Sequence, residues 1–156
     1  MSRKAVKRKT PYTEKELTLA VELYRELRDP IEIFYHLMQS RRIESFSIIL
    51  IKTKYNFFGN FLKSHKRDSD MIILSDSENG NYVLLCQETL VDGGYRFAER
   101  LRNDLRLSSG SEFRAAVVAV EYYSFPVKEL VLTVVDMYRK LLENDNENHI
   151  LHRSIR

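Results

Sequence analysis

The sequence predicts one α/β domain, a sheet of short strands covered by amphipathic helices. Three observations predict it. Apolar residues recur at helical spacing in several stretches, short β-branched runs lie between them, and the two kinds of segment alternate. A chain of 156 residues suits a single domain that buries about 70% of its unfolded surface. Its one cysteine, Cys86, excludes an intrachain disulfide framework and a cysteine-based structural zinc site, and it fits a reducing compartment. No apolar run approaches the length of about 20 residues that a membrane span needs. The basic N-terminus is followed by no apolar segment and so does not read as a secretory signal. The expected location is cytoplasmic.

The elements follow in order. Residues 1–11 read as a disordered basic leader, with Arg3, Lys4, Lys7, Arg8 and Lys9 and no acid. Those five leave 20 basic against 22 acidic residues in the rest of the chain, so the formal charge of +3 belongs to the leader and the body is slightly acidic. Thr13-Glu14-Lys15-Glu16 is a capping-box pattern opening an N-terminal helix over 12–28, with Leu17, Val21, Tyr24 and Leu27 at helical spacing. Asp29-Pro30 reads as the end of that helix and the start of another, since Asp caps and Pro suits the first helical position. The second helix carries Ile33, Phe34, Leu37 and Met38 to about Arg42.

Phe46–Thr53 is nearly all apolar and reads as a strand buried on both faces. A short helix over about 56–66 is expected to turn Phe57, Phe58, Phe61 and Leu62 inward. Strands over 70–74 and 82–86 are joined by a loop, 75–81, rich in turn formers. A helix over 90–107 stops at Ser108-Ser109-Gly110. A strand over 113–122, a helix over 126–144 and a short strand at Ile150-Leu151 complete the series. From the first strand the order is β-α-β-β-α-β-α-β, which suits a ferredoxin-like or palm sandwich with a central, mainly antiparallel sheet.

Several segments, in this order, resemble a GGDEF domain, the diguanylate cyclase family of bacterial signalling. Asp29-Pro30-Ile31 resembles the family's opening Asp-Pro-Leu-Thr, and Phe46–Lys54 its first strand. Arg67-Asp68-Ser69-Asp70 is similar to its Arg-x-x-Asp segment, Tyr82-Val83-Leu84-Leu85 to the strand after the signature turn, and Ala98-Glu99-Arg100-Leu101-Arg102 to its Ala-Glu-Arg-Ile-Arg helix. Phe113–Val120 and the helix carrying Val135-Asp136 resemble the last strand and helix. The resemblance divides the chain into the leader, the helix over 12–28 and a degenerate GGDEF domain over 29–156.

The same comparison implies that catalysis is lost. The family's metal-binding Asp-x-Asp corresponds to Lys52-Thr53-Lys54, a reversal of charge where Mg²⁺ ions would be held. The signature turn corresponds to Glu78-Asn79-Gly80-Asn81-Tyr82, without its two leading glycines. The phosphate-contacting Lys of the last helix falls near Glu143. The chain is therefore expected to be no enzyme and to need no metal or other cofactor.

What the resemblance retains is the site at which active members bind their product, cyclic di-GMP. It places Arg67, Asp70 and Arg100 there as ligand-binding residues, with Lys66 and Arg96 as secondary contacts and Lys63 adding to the field. Arginine forks match guanine O6/N7 or phosphate, and a carboxylate accepts from guanine N1–H and N2–H₂. Charged hydrogen bonds of about 1.5–3 kcal/mol each, with stacking, reach the roughly −8 kcal/mol of a micromolar complex. The plainer reading of Arg67 is a surface ion pair with Asp68 or Asp70.

The expected function is thus an inactive receptor for cyclic di-GMP that passes the ligand's level to an unidentified protein partner, with a homodimer through the N-terminal helix also open. The alternative is a ligand-independent interaction scaffold on the same fold. Residues 1–9 suit nucleic acid or an anionic membrane surface, or simply solubility. Lys52 and Lys54 read either as solvated or as holding phosphate. Cys86 reads as an inert core thiol, and the four histidines lack carboxylate or Cys neighbours at metal-ligand spacing, while His149 and His152, three apart, lie near the chain terminus.

Overall fold

The strand Phe46–Lys52 is buried on both faces because it forms the middle of a five-stranded sheet. In the computed structural model, residues 11–144, 146 and 148–156 are described, so the expected leader lies outside them except for Pro11. Among the described residues the order is α1 (Glu14–Gln39), β1 (Phe46–Lys52), α2 (Phe58–His65), β2 (Asp70–Asp76), β3 (Asn81–Gln87), α3 (Val91–Ser109), β4 (Arg114–Val120), α4 (Val127–Glu143) and β5 (Ile150–Ile155). The strands lie in the order β2-β3-β1-β4-β5, antiparallel except for the parallel pair β4 and β5. Ile49 sits opposite Leu84 on one side and Val117 on the other.

The alternation of the strands divides the core in two. Ile48, Leu50, Val83, Leu85 and Val118 pack with α1 and α4 on one face. Ile49, Ile51, Leu84, Cys86 and Val117 pack with α2 and α3 on the other. The result is the α/β sandwich expected from the element order, with a mainly antiparallel sheet between two helical layers.

The helix break expected at Asp29-Pro30 does not occur: α1 runs continuously for 26 residues with Pro30 inside it. An interior proline removes a hydrogen bond and crowds the preceding turn, costing about 3 kcal/mol. The buried stripe Leu19, Leu23, Leu27, Ile31, Phe34 and Met38 passes straight through it. Burial of the three side chains beyond Pro30, at about 1.5–3 kcal/mol each, outweighs that cost. Pro30→Ala is accordingly expected to raise stability by about 2 kcal/mol in urea unfolding, the restored hydrogen bond exceeding the unfolded-state entropy that proline restrains.

Smaller differences have local causes. Phe57 is 66% exposed rather than inward, because the helix begins one residue later and its periodicity does not reach back to it. The β2–β3 turn shrinks to residues 77–80, closed by Asn79 Nδ2–H donating to Asp76 Oδ2 at 2.8 Å. The final strand, expected at two residues, is six long because β4 offers it a continuous parallel edge.

The capping box at Thr13 and Glu16 forms as expected, and Glu16 goes further. Its carboxylate accepts a bidentate pair from Arg139 of α4, at 2.6 and 3.2 Å, while Tyr12 donates to Asp136 at 2.7 Å. Arg139 and the Thr13 N–H hold Glu16 below its ordinary value of 4.5. The stabilisation is therefore whole above the unfolded-state pKa and is lost as pH falls through the depressed folded value. Glu16→Gln is expected to flatten the acid limb of a stability-versus-pH curve measured by urea unfolding. An unchanged acid limb would show that the pair contributes nothing.

Candidate functional site

Arg67 lies in the turn between α2 and β2, and its geometry is closed on Asp70. The Asp70 N–H donates to the Arg67 carbonyl at 3.0 Å, and the Arg67 N–H returns a bond to Asp70 Oδ2 at 2.8 Å. Asp70 Oδ1 accepts from Arg67 Nε at 3.1 Å and Nη2 at 2.8 Å. Nη2 reaches further, to the Gln87 carbonyl and to Thr89 Oγ1, each at 2.9 Å. Arg67 thus ties the start of β2 to the connection between β3 and α3. The hydrogen bond to Asp70 raises the guanidinium above its ordinary value.

These contacts change what the pair can offer. The Asp70 side chain is only 2% exposed, with the Arg67 side chain laid over it at 51%. The expected fork of Arg67 is spent on Asp70, leaving Nη1 without an acceptor among the described residues. Of the two partners the plainer reading allowed, Asp68 takes no part; the ion pair is with Asp70. Beside it lies Cys86, whose thiol is pushed up by burial and then by Asp70, so it stays protonated.

The arginines of α3 complete the site. Arg96 and Arg100 stand one helical turn apart, and both line the same cavity of about 390 Å³ as Arg67 and Asp70. Arg100 rests on the Phe97 ring, 5.4 Å from its centroid, and neither arginine has a carboxylate partner among the described residues. Four of the six residues singled out from the sequence are therefore brought together. Lys63 and Lys66 do not line the cavity, and the Lys66 ammonium turns to the Arg67 carbonyl at 3.2 Å.

Sequence reasoning missed Glu88, Thr89, Asp92 and Gly93, which also line the cavity. Asp92, Arg96 and Arg100 recur every four residues on one face of α3, a signal open to reading once the helix is assigned. Thr89 and Gly93 carry no such signal. They owe their place to the approach of α3 to the sheet at Gly94, where a Cβ would lie 2.6 Å from Val117 Cγ1.

A second region is the end of β1, where the resemblance would put catalytic carboxylates. Lys52 is half-buried and donates to the Asn79 carbonyl in the β2–β3 turn. Its ammonium lies 6.0 Å from the Tyr138 ring centroid. Burial, and then Lys15, lower its pKa. The Thr53 N–H donates to the Gly80 carbonyl at 3.0 Å, so the turn is sewn onto the strand end, while Lys54 is exposed. Among the described residues, no three His, Cys, Asp or Glu side chains converge on a metal position. No described helix is long and apolar enough to cross a membrane.

No protein-family model and no curated protein matches the sequence. Solved structures do resemble the fold. The diguanylate cyclase SiaD of Pseudomonas aeruginosa, solved in complex with its activator SiaC, aligns with a TM-score of 0.62 at 12% identity, over 89% of this chain and 66% of that one. A microbial GGDEF domain, described for its interaction with cyclic di-GMP, aligns with a TM-score of 0.65 at 7% identity, over 83% of this chain and 92% of that one. The chain spans somewhat under two thirds of the cyclase's length and nearly all of the second domain's. Its fold is GGDEF-like; at these identities the likeness is one of fold.

Proposed function

We propose that this chain is a catalytically inactive GGDEF-type domain that binds cyclic di-GMP and passes the ligand's level to a protein partner. The observation that carries the reading is the convergence of Arg67, Arg96 and Arg100 on one cavity from two separate segments of the chain. Arg96 and Arg100 supply uncommitted guanidinium groups for the two phosphates or for guanine O6/N7. Asp70 acts through Arg67, holding it in place.

The end of β1 supports the absence of cyclase chemistry. A lysine tied to the hairpin carbonyl occupies the position that would have to gather divalent cations, and it repels them. The reading needs no metal or other cofactor. SiaD is bound to an activator protein and the microbial domain interacts with cyclic di-GMP; both relations are in keeping with a signalling role here.

Titration calorimetry with cyclic di-GMP tests the receptor. Binding in the micromolar range is expected, and no heat at tens of micromolar ligand sinks the reading. Incubation of the pure protein with GTP and Mg²⁺ or Mn²⁺ is expected to yield no cyclic dinucleotide; conversion overturns the inactivity.

One observation favours the scaffold alternative. Arg67 already spends its Nε and Nη2 donors inside the chain, which a purely structural tie also requires. That alternative predicts partner capture indifferent to nucleotide.

A further inference from the structure

The base-reading carboxylate assigned by analogy to Asp70 has little left to read with. An ionised carboxylate has about four lone-pair sites. Three on Asp70 accept from Arg67. Turning Asp70 to a ligand would break its pairing with Arg67 while the carboxylate is nearly sealed from water, a costly rearrangement.

Two other carboxylates line the cavity. Glu88 accepts the Glu44 N–H at 2.6 Å and so is partly spent. Asp92 is exposed and has no hydrogen-bond or ion-pair partner among the described residues. It stands in the first turn of α3, four residues before Arg96 and eight before Arg100, so all three share one helix face. That face presents a free acceptor pair beside two free donor forks.

We propose that Asp92 is the residue that selects guanine at this site, accepting N1–H and N2–H₂ on its two oxygens while Arg96 and Arg100 hold phosphate. The assignment rests on the receptor reading above and adds the origin of its base specificity. Guanine offers two adjacent donors on that edge. Hypoxanthine keeps N1–H and lacks the 2-amino group. Adenine presents an unprotonated N1, an acceptor that an aspartate repels.

A cycle of protein and ligand changes tests this by calorimetry on the whole chain. The ligands are cyclic di-GMP and its analogue with hypoxanthine in place of guanine; the proteins are the parent, Asp92→Ala and Asp92→Asn. The parent is expected to bind the hypoxanthine analogue about tenfold more weakly than cyclic di-GMP. Asp92→Ala is expected to lose about tenfold or more for cyclic di-GMP and to bind both ligands alike, and Asp92→Asn to fall between. Equal losses for both ligands, preserving the parent's preference, would mean that Asp92 merely supports the helix end and would overturn the assignment. So would an Asp92→Ala that binds cyclic di-GMP as the parent does, or a parent without preference between the ligands. A parent that binds neither ligand removes the receptor reading and this assignment with it.

Discussion

The double variant Arg96→Ala/Arg100→Ala is expected to bind cyclic di-GMP at least a hundredfold more weakly than the parent, at an unchanged melting temperature. Each arginine is exposed and free of carboxylate partners among the described residues, so its loss strands no buried charge. Surface changes of this kind stay within about 0.5 kcal/mol in stability. Each charge-assisted contact to the ligand is worth about 1.5–3 kcal/mol, so two lost contacts amount to a factor of a hundred or more. Calorimetry and a thermal melt on the same samples check both halves. Undiminished affinity would remove α3 from the site. Arg67→Ala is the instructive contrast: it frees the buried Asp70 from its partner and cuts the bonds to Gln87 and Thr89, so binding and stability fall together.

Gly80→Ala is expected to be the most damaging small change, costing about 3 kcal/mol or more in urea unfolding. Gly80 holds φ at 72°, a left-handed conformation worth about 1–2 kcal/mol against any other residue. A Cβ there would also overlap the Thr53 carbonyl oxygen. That oxygen belongs to backbone at the end of β1, and Thr53 is fixed from two sides, by its N–H to Gly80 and by its hydroxyl to the Glu112 carbonyl. Gly110, with φ at 71° and nothing within 4 Å of its added Cβ, is the control. Gly110→Ala should cost only the conformational part, about 1 kcal/mol. The difference between the two variants measures the steric part, and equal costs would show that the turn yields.

Much of this structure is legible in single stretches of sequence. The β-branched run at Phe46–Ile51 announces a central strand because both of its faces are apolar, and Thr13 with Glu16 announces a helix start because both partners of the capping box lie within one turn of each other. Local signals mislead where a distant contact outweighs them. Asp29-Pro30 has the signature of a boundary, yet the apolar stripe beyond it gains more against the sheet and α4 than proline costs. Phe57 follows the helical pattern of Phe58 and Phe61, yet it lies one residue outside the helix and stays in solvent.

The charges divide in the same way. The sequence by itself placed Arg67 in one segment and Arg96 with Arg100 in another, and put lysine where the resemblance expects a metal-binding acid, because residue type and order are local facts. Only the tertiary structure decided which charges remain free. It folded Arg67 onto Asp70, took up most of that carboxylate's capacity, and left Asp92, Arg96 and Arg100 on the open face of α3. Whether a charged group is spent or available depends on which groups come within hydrogen-bond reach across the fold, and no spacing along the chain encodes that.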